Sequence, residues 1–269
     1  MSMLNLSNST FLSTEEVKQK VPSIFAEKGI ETLSRHYTHI PTSQVMEDME
    51  KLGWGVIDAK QIRSKKSDGY QKHLVVFRNP NIVITSEDGD TVYPQILLTN
   101  SHDGRSSFVF RAGLFRLICE NGLVVATQEF ENVSIRHSGY NFEDLRKNIK
   151  EMVMGLPLTV ESIKKMKAIE LDENKAADFV TEALKIRFTK EQFEGYIFNI
   201  NEILEATRKE DSGKDLWSVF NVVQEKLLGG DFKYKAMNGK DRKARKVKNF
   251  HMDIDINQKL FALADTMVS

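Results

Sequence analysis

A single change of hydrophobic period constrains this chain more than any other feature. From Trp54 to about Val133 the apolar residues come in short runs rich in β-branched and aromatic side chains: GVIDAKQIR, HLVVFR, NIVIT, YPQILLTN, SSFVFR and GLVVATQEF. Asp-Gly, Asn-Pro and Asn-Gly turn signals separate them, the pattern of antiparallel strands. After Gly139 the spacing becomes helical and predicts helices at about 142–154, 158–169, 172–188, 194–209, 215–228 and 254–267. Strands first and helices afterwards argue against alternating α/β. They predict an α+β protein, an antiparallel sheet in the N-terminal half packed with a helical C-terminal half. The expected organisation is a tail and short helix over 1–34, then one domain over 35–269, β-rich at about 54–137 and helical at about 141–267.

Two helices are expected before the sheet. Ser13 and Glu16 have the spacing of a capping box, and Pro22 bends or ends the helix they start. In TSQVMEDMEKLG, Val45, Met46, Met49 and Leu52 share a face, Thr42 or Ser43 can cap, and Gly53 can stop the helix.

Composition narrows the function classes. Lys plus Arg equals Asp plus Glu at 38 each, so any electrostatic function must come from local clustering. One cysteine forms no internal disulfide, and no Cys/His group has the close pairs of a structural zinc site. No run of about 18 apolar residues is present, and MSMLNLSNSTFL lacks the pattern of a secretory signal. The expectation is a cytoplasmic protein that engages no membrane and carries no metal or cofactor. A phosphate loop of the Gly-x-x-x-x-Gly-Lys-Ser/Thr type is missing, which argues against a nucleotide-driven motor.

The span LLTNSHDGRSSFVFRAGLFRLICENGL, Leu97 to Leu123, concentrates candidate chemistry. His102 and Asp103 are the pair a metal-dependent nuclease or hydrolase would need. They lie in a Ser/Gly-rich turn, where Asp and Ser side chains more often bond local backbone N–H groups. Cys119 follows Leu117 and Ile118 and has no close basic neighbour at a later helical position, so it reads as a buried, inert thiol. In the strand that follows the turn, Phe108, Phe110 and Ala112 fall on one face and Val109 and Arg111 on the other, as in a half-covered sheet. Arg105, Arg111 and Arg116 are then candidates for phosphate contact, or for ion pairs with Glu120, Glu129 or Glu131 within the sheet. Glu202, Glu205, Glu210 and Asp211 fit one solvated helix face.

The sharpest charge feature is KYKAMNGKDRKARKVK. Lys233, Lys235, Lys240, Arg242, Lys243, Arg245, Lys246 and Lys248 stand against Asp241 alone, with Phe232, Tyr234 and Phe250 interleaved or flanking. Asn238-Gly239 is a hairpin signal, so the segment is expected to be a basic β-arm between two helices. Its cations suit phosphates, and Tyr234, Trp54 or Phe232 are candidates to stack unpaired bases. The alternatives are a solvated loop, or one docked on an acidic protein surface.

Two blocks carry a family resemblance. The first holds Asn100, Ser101, His102, Asp103, Gly104, Gly113, Leu114, Arg116, Cys119, Asn121 and Gly122. The second holds Asp215, Leu216, Trp217, Asn221, Gln224, Glu225, Gly229 and Gly230. Together they resemble an uncharacterised phage/plasmid-like protein family of tailed phages and conjugative plasmids, from about Arg35 to Met267. The resemblance implies a mobile-element protein acting in the host cytoplasm, and it carries no catalytic residues. By architectural analogy to phage annealases, the expected function is single-stranded DNA binding or annealing by a homo-oligomer. The alternative is an anti-defence or assembly component that binds a host or phage protein; a metal-dependent nuclease is the third.

Overall fold

A computed structural model describes residues 11–33, 39–64, 68–85, 91–116, 122–124, 133–135 and 141–268. The chain divides into two compact units, Met1–Gly122 with Gln128–Leu156, and Leu123–Thr127 with Pro157–Ser269. An antiparallel sheet in the N-terminal half and helices in the C-terminal half make the protein α+β, as the change of period predicts.

In the first unit α1 (Thr14–Lys20) starts at the expected capping box: Glu16 N–H donates to Ser13 Oγ and Ser13 N–H to Glu16 Oε2. Pro22, with no N–H to give, opens a 3-10 turn over Pro22–Phe25. After α2 (Thr42–Lys51) come β1 (Gly55–Gln61), β2 (His73–Arg78), β3 (Ile84–Thr85), β4 (Thr91–Asn100), β5 (Phe108–Arg116) and β7 (Val133–Ile135), while β6 (Gly122–Val124) starts at Gly122 and continues into the second unit. Within the first unit the order is β1-β2-β4-β5, with β3 added to β4 and β7 to β5.

The two central strands are buried on both faces: His73 to Phe77 and Tyr93 to Asn100 are all at or below 9 % exposure. Phe77, Phe108 and Phe110 are fully buried, each contributing roughly 2 kcal/mol through apolar area removed from water. Pro94 lies inside β4, where a missing donor normally breaks a ladder. β2 pairs only with Gln95–Asn100 and β3 only with Thr91 and Val92, so Pro94 falls in the gap between them.

α3 (Phe142–Lys167) runs through Pro157, where two separate helices are expected from the sequence. The second unit gathers α4 (Glu173–Arg187), α7 (Leu216–Gly229) and α8 (Phe250–Thr266) around one core. α7 is buried on every side, Leu216 to Gln224 without a break, which explains its all-round apolar sequence. Asp215 caps it through Ser218 N–H, and Gly230 closes it in the left-handed conformation. The helix expected over 194–209 is instead α5 (Lys190–Glu194), β8 (Tyr196–Phe198) and α6 (Ile200–Leu204), with a 3-10 turn over Lys209–Asp211. Thr189 and Asn199 supply helix starts, and Tyr-Ile-Phe favours a strand over continued helix. β9 (Lys233–Ala236) and β10 (Asp241–Lys243) complete a three-stranded sheet in the order β10-β9-β8.

Candidate nucleic-acid interface

The basic segment between α7 and α8 folds as the expected hairpin. Gly239 N–H donates to the Ala236 carbonyl at 2.8 Å and Ala236 N–H to the Lys240 carbonyl at 3.0 Å. Gly239 has φ +76°, so Asn-Gly builds a type I turn followed by a left-handed residue. The hairpin does not stand alone: β8 pairs with β9, Phe198 opposite Tyr234 and Ile197 opposite Lys235.

Strand alternation then sorts the side chains. Tyr196, Phe198, Tyr234 and buried Phe232 cluster around Phe188 at the end of α4, with ring centroids 4.7 to 6.5 Å apart. The Arg187 guanidinium lies 5.6 Å from the Phe188 ring and 5.7 Å from the Phe232 ring, and donates to the Arg245 carbonyl at 2.5 Å. Burial pushes its pKa below the ordinary guanidinium value, yet arginine stays charged at any working pH. It therefore fastens the arm's return segment to the aromatic cluster.

The eight arm cations are all exposed. Lys243 pairs with Asp231 at 3.1 Å; among the described residues no ion pair engages Lys233, Lys235, Lys240, Arg242, Arg245, Lys246 or Lys248. An open concavity of about 700 Å³ runs over the small sheet, lined by Ile197, Phe198 and Tyr234 and by Lys233, Lys235, Arg242 and Lys243. Glu202 and Asp241 also reach it, and Glu202 accepts the Lys233 N–H at 3.0 Å. A floor with apolar parts and a cationic rim offers separate contacts for flat rings and for phosphates.

Three expected contacts change. Trp54 is 3 % exposed and Phe232 1 %, so neither can stack a base. Tyr234 is half-buried as a member of the aromatic cluster, leaving only part of its ring to the groove.

The sheet arginines belong to the first unit. Arg105 is exposed in the turn before β5. Arg111 donates to Thr99 Oγ1 at 2.9 Å and is half-buried, which pushes its pKa down. Arg116 ends β5 opposite Val92, and its side chain lies outside the described residues, as do Cys119, Asn121, Glu120, Glu129 and Glu131. Gly122 opens β6.

The Asn-Ser-His part of the Asn-Ser-His-Asp-Gly block is a buried corner. Asn100, Ser101, His102 and His73 are fully buried. Thr42 Oγ1 is the hub: it lies 2.9 Å from His73 Nε2 and 3.4 Å from His102 Nε2, and accepts from Asn100 Nδ2 at 2.9 Å. The Gln71 carbonyl, 2.9 Å from His73 Nδ1, can only accept, so Nδ1 carries the proton and Nε2 accepts from the Thr42 hydroxyl. His73 is thus held neutral, and burial lowers its pKa to about 4. The His102 ring is 4.5 Å from His39 and 5.1 Å from His73. Its carbonyl accepts from Ile30 N–H at 2.9 Å, tying the preceding N-terminal segment to the end of β4.

The turn itself follows the backbone-bonding pattern. Asp103 Oδ1 accepts from Arg105 N–H at 3.0 Å and Ser101 Oγ from Ser106 N–H at 3.1 Å, with Gly104 exposed between them. His102 points into the core while Asp103 bonds the turn, so the two do not converge on one point. Among the described residues no group of three His, Cys, Asp or Glu side chains is arranged to hold a metal.

The second block is also architectural. Trp217 stacks on Phe220, Asn221 Nδ2 donates to the Trp217 carbonyl, and Gln224 Nε2 donates to Asn257 Oδ1 between α7 and α8. Arg208 holds Glu225 through two bonds of 2.7 and 3.0 Å and reaches buried Asp211 at 3.4 Å. The four carboxylates expected on one helix are therefore spread over different segments. Sequence reasoning missed Arg187, Phe188, Tyr196, Phe198 and Asp231; the aromatic run in RFTKEQFEGYIF is the signal that marks all but the last.

Comparison with known proteins yields relatives without an assigned activity. The chain is 27 % identical over 260 residues to UPF0380 protein YfjQ of Escherichia coli (strain K12), covering 96 % of this chain and 92 % of the relative. It is 27 % identical over 260 residues to UPF0380 protein YafZ of the same organism, with the same coverage. No solved structure matches. The match to the family model runs over residues 30–260, most of the chain: the protein belongs to DUF932, a domain of unknown function.

Proposed function

We propose that the protein is a non-enzymatic binder of single-stranded nucleic acid in the DNA metabolism of a mobile element, with the arm as its phosphate track. One observation carries this reading: seven of eight clustered cations are exposed and outside any ion pair among the described residues, on a sheet anchored to an aromatic cluster. A chain with no net charge gains nothing for folding from such crowding; a polyanion compensates it by releasing counterions. The groove suits a single strand, because exposed Ile197, with the partly buried Phe198 and Tyr234 at its edge, offers an unpaired base apolar surface beside the cations.

The test replaces Arg242, Lys243, Arg245 and Lys246 with Glu and follows a fluorescent oligothymidylate by anisotropy at fixed salt. The variant is expected to bind at least about tenfold more weakly, since several phosphate contacts are lost together. Equal affinity for parent and variant contradicts the reading. A stoichiometric protein partner recovered from lysate after nuclease treatment, with no oligonucleotide binding, favours the second reading, a protein interface on the same arm.

A further inference from the structure

Just before the arm, Asp231 places a carboxylate on Lys243, where the arm's proposed ligand would need to be. β9 and β10 pair so that Lys243 lies directly opposite Lys233. Cross-strand like charges destabilise a strand pair, and both side chains are exposed, so no buried contact explains the juxtaposition. Relief comes from one side only. Asp231 lies 3.1 Å from Lys243 Nζ, whereas among the described residues no carboxylate pairs with the Lys233 ammonium.

The position of Asp231 is set by the chain around it. It follows Gly230, which leaves α7 at φ +75° and lies so close to the Arg245–Lys246 backbone that an added Cβ would stand 2.3 Å from the Arg245 carbonyl carbon. Residue 231 therefore starts from a fixed point beside the arm's return segment. Lys226, in the last turn of α7 and 7 % exposed, adds positive field at the same carboxylate. Lys243 first, then Lys226, hold the Asp231 carboxyl below the usual carboxylate range.

We infer that Lys233 and Lys243 form a phosphodiester subsite of the arm and that Asp231 is its built-in counter-ion, occupying Lys243 until a nucleic-acid phosphate displaces it. The inference rests on the nucleic-acid reading above. Both partners of the Asp231–Lys243 pair are well exposed, with side-chain exposures of 72 % and 65 %. Such pairs are weak, so the carboxylate tunes affinity and does not block the site. Its presence also fits specificity: a ligand with one isolated negative charge gains little by displacing it, whereas a strand of phosphates compensates the loss through its neighbours.

The experiment compares parent, Asp231→Asn, Lys243→Gln and the double variant with a fluorescein-labelled oligothymidylate, titrated across a range of salt. Asp231→Asn is expected to bind about two- to fivefold more tightly. The slope of log affinity against log salt should match the parent's, because Lys243 neutralises the same phosphate in both complexes and only the cost of displacing Asp231 is gone. In the Lys243→Gln background the same Asp231→Asn change should do nothing. Asp231→Ser serves as a second neutral variant, and the urea midpoint of each confirms folding.

If the parent binds and Asp231→Asn leaves affinity unchanged, or weakens binding, the counter-ion role is overturned while nucleic-acid binding stands. If the gain persists without the Lys243 ammonium, the role of this pair is overturned in favour of general charge. If parent and Asp231→Asn both fail to bind, both readings fall.

Discussion

His73 shows how far burial can move one side chain. Its folded value near 4 lies below the 6.5 of an exposed imidazole, chiefly through desolvation, although its bond to Gln71 and the Asp103 charge act in the other direction. Between those values the unfolded chain binds the extra proton, so stability is fully present above about pH 6.5 and falls as pH drops toward 4. For this residue the loss is on the order of 3 kcal/mol. Urea midpoints at neutral and mildly acidic pH should show a steeper acid loss for the parent than for His73→Gln; identical pH dependences would contradict the assignment. Glycine gives a second contrast at this scale. Gly239 is left-handed with open space around it, so Gly239→Ala should cost only about 1 kcal/mol of backbone strain. Gly230 is left-handed with the Arg245 and Lys246 backbone inside contact distance, so Gly230→Ala must also move the arm and should lower thermal stability clearly more. None of the histidine geometry is legible in the chain, because His39, His73 and His102 meet only when an N-terminal segment crosses the ends of two strands.

At the scale of elements, the arm is legible and its support is not. Asn238-Gly239 between charged and aromatic residues marks a hairpin because few residues tolerate the turn's positive φ. Ser13 with Glu16, and Gly230 after an apolar run, mark helix ends for equally local reasons. The segment 190–204 defeats pattern reading: two five-residue helices and a three-residue strand are each shorter than the window that establishes a period. The third strand of the small sheet is hidden there, along with Tyr196 and Phe198 of the aromatic cluster that anchors the arm. Arg187 is the clasp. Arg187→Ala removes its contacts with two rings and its bond to the Arg245 carbonyl, and should destabilise the second unit by roughly 2 kcal/mol. Hydrogen exchange should show the arm amides opening first. Arg187→Lys is not expected to rescue, since an ammonium lacks the planar fork that stacks and donates together. Full rescue by lysine would mean that charge alone holds the arm.

For the whole molecule, zero net charge conceals an uneven distribution, and the functional reading depends on that unevenness. Of the two blocks that give the chain its family resemblance, the first places Asn100, Ser101 and His102 in a polar buried corner of the first unit, and the second is the central helix of the second unit. The α+β class was readable because the long strand-period and helix-period stretches fall in separate halves of the chain. The fused helix α3 was not, since a proline at position 157 argues locally for a break. The most direct test of the central claim is the salt dependence of oligothymidylate binding by the unmodified protein. If about five arm cations neutralise phosphates, log affinity should fall against log salt with a slope near −3.5, and the fourfold Glu variant should lose most of that slope. Absent binding, or a slope that the variant leaves unchanged, would contradict the account.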